Sequence, residues 1–223
     1  MRFKRVLLVI AIVLLLLPAG MAYSAQMTLA DLIALGSTGY QVQDKLFYDF
    51  FYSSSGSGGA VAIPAEGVSV TPIDIPLNPG WLFEAAWAAG PGQTLDSLIQ
   101  YSVRVLDGGP PITDISARME GYGQISQGLV VVAETGPVNL LLYDASFGTV
   151  SYQEAVLENP TMGPITVYKD ISVNGNDGIA AVSAVYNQFS ETAVPEPATM
   201  LLLGLGMVGM APLIKRKLKR KGD

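Results

Sequence analysis

The sequence predicts an all-β domain, an antiparallel β-sandwich or jelly-roll-like fold, with a short N-terminal helix and a single C-terminal transmembrane helix. Three observations carry this expectation. Past Tyr40, Gly and Pro recur at intervals of roughly 8–15 residues, too often for helices of ordinary length. The stretches between them are rich in Val, Ile, Tyr, Phe and Thr, which suit a pleated, half-buried surface. Both ends of the chain are apolar runs bordered by basic residues, unlike anything between them.

The first segment, "MRFKRVLLVIAIVLLLLPAGMAYSA", reads as a secretory signal over residues 1–25. Three basic residues (Arg2, Lys4, Arg5) precede twelve uninterrupted apolar ones from Val6 to Leu17, inside the window of roughly 7–15 expected of such a core. Pro18 and Gly20 then break the helix, and small residues follow. Cleavage is expected between Ala22 and Gln26, with Ala22, Ser24 and Ala25 in the region that a signal peptidase reads.

The exported body follows over residues 26–192. It opens on Thr28-Leu29-Ala30-Asp31, a capping box with Asp in the usual Glu position, and Gly36 stops the helix after "LADLIAL". Ten strands are expected beyond it: 45–53, 67–73, 81–88, 97–106, 112–120, 124–134, 138–143, 148–157, 165–173 and 179–189. Several stretches invite a sharper reading. "YSSSGSGGA" (52–60) has the composition of a flexible loop. "LFYDFFY" (46–52) could be a sugar-stacking platform. Strict alternation, however, puts Leu46, Tyr48, Phe50 and Tyr52 on one face and Phe47, Asp49 and Phe51 on the other, so core packing on both faces is the expectation. Trp81 and Trp87 share a face with Phe83 and Ala85 and are likewise expected in the core. "VNGNDG" (173–178) falls short of a calcium loop, because Asp177 stands where the glycine is needed and no Glu follows at the required distance; it reads as a hairpin turn.

The last segment, "VPEPATMLLLGLGMVGMAPLIKRKLKRKGD", answers the first across a bilayer. From Ala198 to Ile214 run 17 residues without a formal charge, about 26 Å of helix, near the short limit for a membrane core. Lys215, Arg216, Lys217, Lys219, Arg220 and Lys221 follow as a cytoplasmic stop signal. Gly204-Leu205-Gly206-Met207-Val208-Gly209 spells a dinucleotide fingerprint, but it lies inside this run with only a basic tail behind it, so helix packing explains it better. Two prolines around Glu196 make an extended elbow just outside the membrane.

Taken together, Val194-Pro195-Glu196-Pro197-Ala198-Thr199-Met200, the glycine-containing apolar run and the basic cluster resemble the PEP-CTERM sorting signal of exported bacterial proteins. The resemblance covers residues 193–223. It implies recognition of Pro195, Glu196 and Pro197 by a membrane-embedded exosortase, cleavage near that motif, and a setting of exopolysaccharide and biofilm in a Gram-negative envelope. Exosortase, the cytoplasmic membrane and exopolysaccharide are thus the partners to expect. Pro212 within the apolar run and the terminal Gly222-Asp223 depart from the pattern.

Charge and composition narrow the function. The ends hold nine of the 13 basic residues, which leaves Lys45, Arg104, Arg118 and Lys169 against seventeen acidic side chains in the body. Such a surface repels phosphate backbones, so no nucleic-acid partner is expected. The absence of Cys and His removes disulfides, most zinc sites and His-based triads. The expectation is a protein that is not an enzyme, needs no cofactor, and acts as a structural or adhesive component of the envelope or extracellular matrix. A carbohydrate- or calcium-binding module is the alternative. A third reading, a glycoside hydrolase, would draw two opposed carboxylates from Glu134, Asp144, Glu154 and Glu158.

Overall fold

The computed structural model describes residues 27–191. Among these residues no helix is long and apolar enough to cross a membrane. The signal-peptide region with Ala22, Ser24 and Ala25, the motif Pro195-Glu196-Pro197, the C-terminal apolar run and the basic cluster lie outside them.

One short helix, α1 (Leu29–Leu35), opens the domain. Its capping box forms as the sequence requires. Thr28 Oγ1 accepts from the Asp31 amide at 3.3 Å, and Asp31 Oδ2 accepts from the Thr28 amide at 2.8 Å. Gly36 ends the helix at φ +52°. Leu29 and Leu32 are fully buried, so the helix plugs the core beside the first long strand.

Thirteen strands follow: β1 (Tyr40–Val42), β2 (Lys45–Ser57), β3 (Ser69–Ile73), β4 (Gly80–Ala89), β5 (Thr94–Val105), β6 (Ile112–Glu120), β7 (Gly123–Ile125), β8 (Leu129–Thr135), β9 (Leu140–Ala145), β10 (Gly148–Val150), β11 (Tyr152–Thr161), β12 (Ile165–Asn174) and β13 (Ile179–Glu191). All pair antiparallel. One sheet has seven strands in the order β1-β2-β5-β12-β8-β9-β10, the other runs β11-β6-β13-β4-β3, and β7 pairs with the start of β13. The two sheets face each other as a sandwich. Between them Phe47 meets Trp81 and Phe189 edge-on or tilted, at centroid distances of 5.5 and 5.6 Å, and Phe50 stacks on Tyr101 at 5.1 Å.

Several expectations need correction. "YSSSGSGGA" is not a loop until Gly58; Tyr52–Ser57 continue β2 and pair in register with β5. Small residues are needed there because the chain doubles back over it. A Cβ on Gly56 would stand 2.3 Å from the Ala60 carbonyl oxygen, and Ser54 Oγ donates to the Asp96 carbonyl at 2.9 Å. The "VNGNDG" turn forms, but it joins β12 of one sheet to β13 of the other, so it is a crossing between sheets and not a hairpin. The expected strands at 124–134 and 148–157 each break in two. The first breaks at Ser126, whose φ of +61° turns the chain; at Ser151 the second leaves the seven-stranded sheet for the six-stranded one.

The core also holds charge. Lys169 on β12 and Glu134 on β8 are directly opposite in register, 0% and 2% exposed, and joined at 2.5 Å. The other Glu134 oxygen accepts from Asn187 Nδ2 at 3.2 Å, across the sandwich on β13. Asn187 Oδ1 takes the Tyr101 hydroxyl at 2.6 Å, and its amide also donates to the Ser116 carbonyl at 3.1 Å. Burial, with the Glu134 charge behind it, pushes the Tyr101 phenol well up, which keeps it protonated and donating. Replacing Lys169 with Met strands the Glu134 carboxylate, and a loss of about 3–5 kcal/mol in urea unfolding is expected. The double variant Lys169→Met/Glu134→Leu should regain most of that loss.

Candidate functional site

Where the strands present functional side chains is decided by one backbone irregularity. At Asp49 β2 bulges: its φ is +54°, and the register with β5 slips between Tyr48 and Phe51. The extra residue flips the alternation. Phe47 and Phe50 both point into the core, at 0% and 5% exposure, whereas Phe51 turns outward and is 50% exposed. The strand is therefore not covered on both sides, contrary to the expectation from strict alternation.

Beyond Phe51 the outer face of the seven-stranded sheet is built in rows across the strands. Phe51 pairs with Gln100 on β5, Gln100 with Tyr168 on β12, and Tyr168 with Thr135 on β8. Directly paired residues share a face, so Phe51 and Tyr168 flank Gln100 at a separation of about 10 Å, two strand spacings. Tyr168 is 42% exposed. One row along, Ser53, Leu98, Asp170, Ala133 and Leu141 line up, and the next row places Asp96 beside Ser172. Among the described residues no donor reaches the carboxylate of Asp170, whose direct neighbours Leu98 and Ala133 are apolar. Partial burial, and then the charge of Asp96 on the diagonal, push the Asp170 carboxyl above the usual carboxylate value.

The outer face of the other sheet is closed on itself. Tyr152, Arg118 and Tyr186 form a row, with the Arg118 guanidinium 4.1 Å above the Tyr186 ring. Both phenols are spoken for, Tyr152 by Glu154 at 2.6 Å and Tyr186 by Glu120 at 2.7 Å, and Arg118 also pairs with Glu120 at 3.2 Å. These hydrogen bonds push both phenols up and leave the row few unmet polar groups. A surface depression of about 440 Å³, bounded by Pro137, Leu157, Asn159, Thr161 and Pro164, has no ionisable side chain in its lining.

The four carboxylates offered for a hydrolase do not come together. Glu134 is buried against Lys169, Asp144 is buried and accepts from Thr149 at 2.6 Å, and Glu154 and Glu158 project from β11 into solvent. Trp81, Phe83 and Trp87 are fully buried, as their spacing requires. Among the described residues no three acidic side chains converge as a metal-binding group. The outer-face row was missed in the sequence because its two aromatics lie more than a hundred residues apart and one is displaced by a bulge. Its only local signal was the aromatic excess in "LFYDFFY".

Comparison with known proteins adds the terminal segment. Residues 193–217 match the family model of the PEP-CTERM protein-sorting motif, and the chain carries that motif at its C-terminus. A comparison with curated proteins finds no match. Among solved structures, TmCBM61 in complex with β-1,4-galactotriose aligns at 13% identity over 63% of this chain and 88% of that one, with a TM-score of 0.32. The enzymatically active domain of tailspike protein 4 of bacteriophage CBA120 aligns at 11% identity over 62% and 19%, TM-score 0.31. The family 11 carbohydrate-binding module from Clostridium thermocellum, in complex with a β-1,3-1,4-mixed-linked tetrasaccharide, aligns at 12% identity over 64% and 91%, TM-score 0.24. At such TM-scores no superposition assigns a site or a ligand to this chain.

The raised carboxyl of Asp170 has a consequence for stability. In the unfolded chain it titrates near 3.8, and in the fold it titrates higher. Its charge therefore costs the folded state something above the folded value and nothing below the unfolded one. Asp170→Asn should raise the melting temperature at pH 7. The gain should shrink as the pH falls through that window and vanish below it, as thermal scans of both proteins at a series of pH values would record.

Proposed function

We propose that this chain, exported and sorted through its PEP-CTERM motif, is a non-enzymatic adhesive protein of the envelope or extracellular matrix that binds polysaccharide on the outer face of its seven-stranded sheet. The observation that carries the reading is the uncovered row Phe51–Gln100–Tyr168. Two exposed rings about 10 Å apart offer flat apolar faces to sugar C–H groups, and an amide between them can donate to and accept from hydroxyls. A long polymer lying across the strands would meet both rings, and its many hydroxyls suit the polar side chains alongside. The four carboxylates weighed for hydrolysis, Glu134, Asp144, Glu154 and Glu158, do not converge on one cleft, which supports a binding role.

Binding to a glycan array, followed by titration of the best ligand, tests this. Phe51→Ala and Tyr168→Ala should each weaken that ligand by about tenfold, the scale of truncating an anchor ring in an interface. Because each side chain is only about half buried, the melting temperature should fall modestly. An array with no positive glycan would sink the adhesive reading and leave a purely structural role.

Sorting predicts a second outcome. Recognition of Pro195, Glu196 and Pro197 by exosortase should leave an extracellular product without Lys215–Lys221. Mass spectrometry of the mature protein from its host reads this directly. Intact basic residues on that product would contradict processing at the motif.

A further inference from the structure

The candidate face is not uniform in charge, and the difference speaks to which polysaccharide it takes. Resting on the glycan-binding reading above, we propose that Asp170 makes this face select polymers bearing free ammonium groups, that is, amino sugars without N-acetylation, over neutral and uronic-acid polymers.

The case is one of placement and complementarity. Asp170 stands two residues from Tyr168 on the same side of β12, so its carboxylate is about 7 Å along the strand from the aromatic row. A sugar stacked on Tyr168 would carry its ring substituents over that position. Leu98 and Ala133 flank Asp170 and supply no donor, and Asp96 on the diagonal adds a second negative charge. An ammonium group arriving there satisfies one carboxylate and relieves the repulsion between two. A uronate would meet the same pair as a third like charge.

The remaining charged and titratable groups on this face do not cancel the effect. From β5 come Asp96 and Arg104, the latter four residues from Gln100 in the direction away from Asp170. β2 contributes Tyr48 at the surface and Asp49 at the bulge; β12 contributes Tyr168, β9 contributes Tyr143, and β8 presents only Val131, Ala133 and Thr135. Lys169, the basic residue next in sequence, points into the core and is consumed by Glu134. The Asp170 side of the aromatic row is therefore anionic, and nothing on the neighbouring strands neutralises it. Its raised carboxyl adds a pH signature: the preference should fade on acidification at a higher pH than for an ordinary carboxylate.

The test is titration of the full chain in detergent with three probes of equal length: a β-1,4-linked glucosamine oligomer, its fully N-acetylated counterpart and a galacturonate oligomer. The glucosamine oligomer is expected to bind at least about tenfold more tightly than the acetylated one, as one charge-assisted contact allows, and the galacturonate most weakly. That preference should decline as salt is raised. Asp170→Asn should bring the ratio between the first two probes close to one, with a folded state verified by its melting temperature. Equal affinity of the native chain for the two oligomers, or a preference surviving Asp170→Asn, overturns the inference while leaving glycan binding intact. Failure of every probe here and of every glycan on the array overturns both.

Discussion

A lysine and a glutamate with no access to water sit at the centre of this sandwich, and the two sheets are registered around them. Lys169 and Glu134 face each other on neighbouring strands of one sheet, and the second Glu134 oxygen is held by Asn187 of the other. Asn187 in turn receives Tyr101 from the first sheet, so the chain of contacts crosses the interior twice. An ion pair in such a place contributes little net stability over a hydrophobic replacement, because desolvation offsets the attraction. What it contributes here is a penalty on alternatives. A one-residue slip of β12 would put Lys169 outside and Glu134 alone in the core, and every other side chain of the strand would change face with it. With Lys169 held inward, Tyr168 and Asp170 on either side of it face out, and Tyr168 joins the row that runs through Gln100 to Phe51.

The same pair shapes the surface charge. Of the four basic residues in the body, Lys169 is consumed by Glu134, and Lys45 is buried with Glu191 and Asp44. Only Arg104 and Arg118 face solvent, and Arg118 is tied to Glu120 and Tyr186. Each buried lysine takes a carboxylate inside with it, so the net charge of the exterior stays where the sequence balance puts it, but few positive side chains remain there to offset the surface carboxylates locally. An exterior of that kind repels phosphate-bearing polymers and attracts cations.

Much of this was legible in the residues. The capping box of α1, the strand-rich body, the buried tryptophans and the sorting motif all follow from local patterns, because caps, turns and alternation are set by neighbours in sequence. The misreadings share one cause. Alternation assumes an unbroken strand, and "LFYDFFY" contains a left-handed Asp49 that only pairing with β5 reveals. "YSSSGS" has loop composition, yet its backbone groups find partners on β5, and tertiary pairing overrides propensity. "VNGNDG" makes a turn in either setting, but which sheet receives the next strand is a long-range matter. The candidate row is harder still, because it joins residue 51 to residue 168 through residue 100, and no local pattern encodes that juxtaposition.

The last strand connects the fold to the sorting segment. β13 runs the length of its sheet from Ile179 to Glu191, flanked by β4 and β6, and its final residue is fixed twice: its amide bonds to the Leu77 carbonyl at 3.0 Å, and its carboxylate pairs with Lys45. Burial pushes the Glu191 carboxyl up while Lys45 pulls it back toward the charged form. Pro195 follows four residues later, a covalent reach of at most about 14 Å, and the uncharged run begins at Ala198, within about 25 Å. Loosening that end would take from buried Lys45 one of its two carboxylate partners and leave only Asp44, so fraying of the last strand carries a cost.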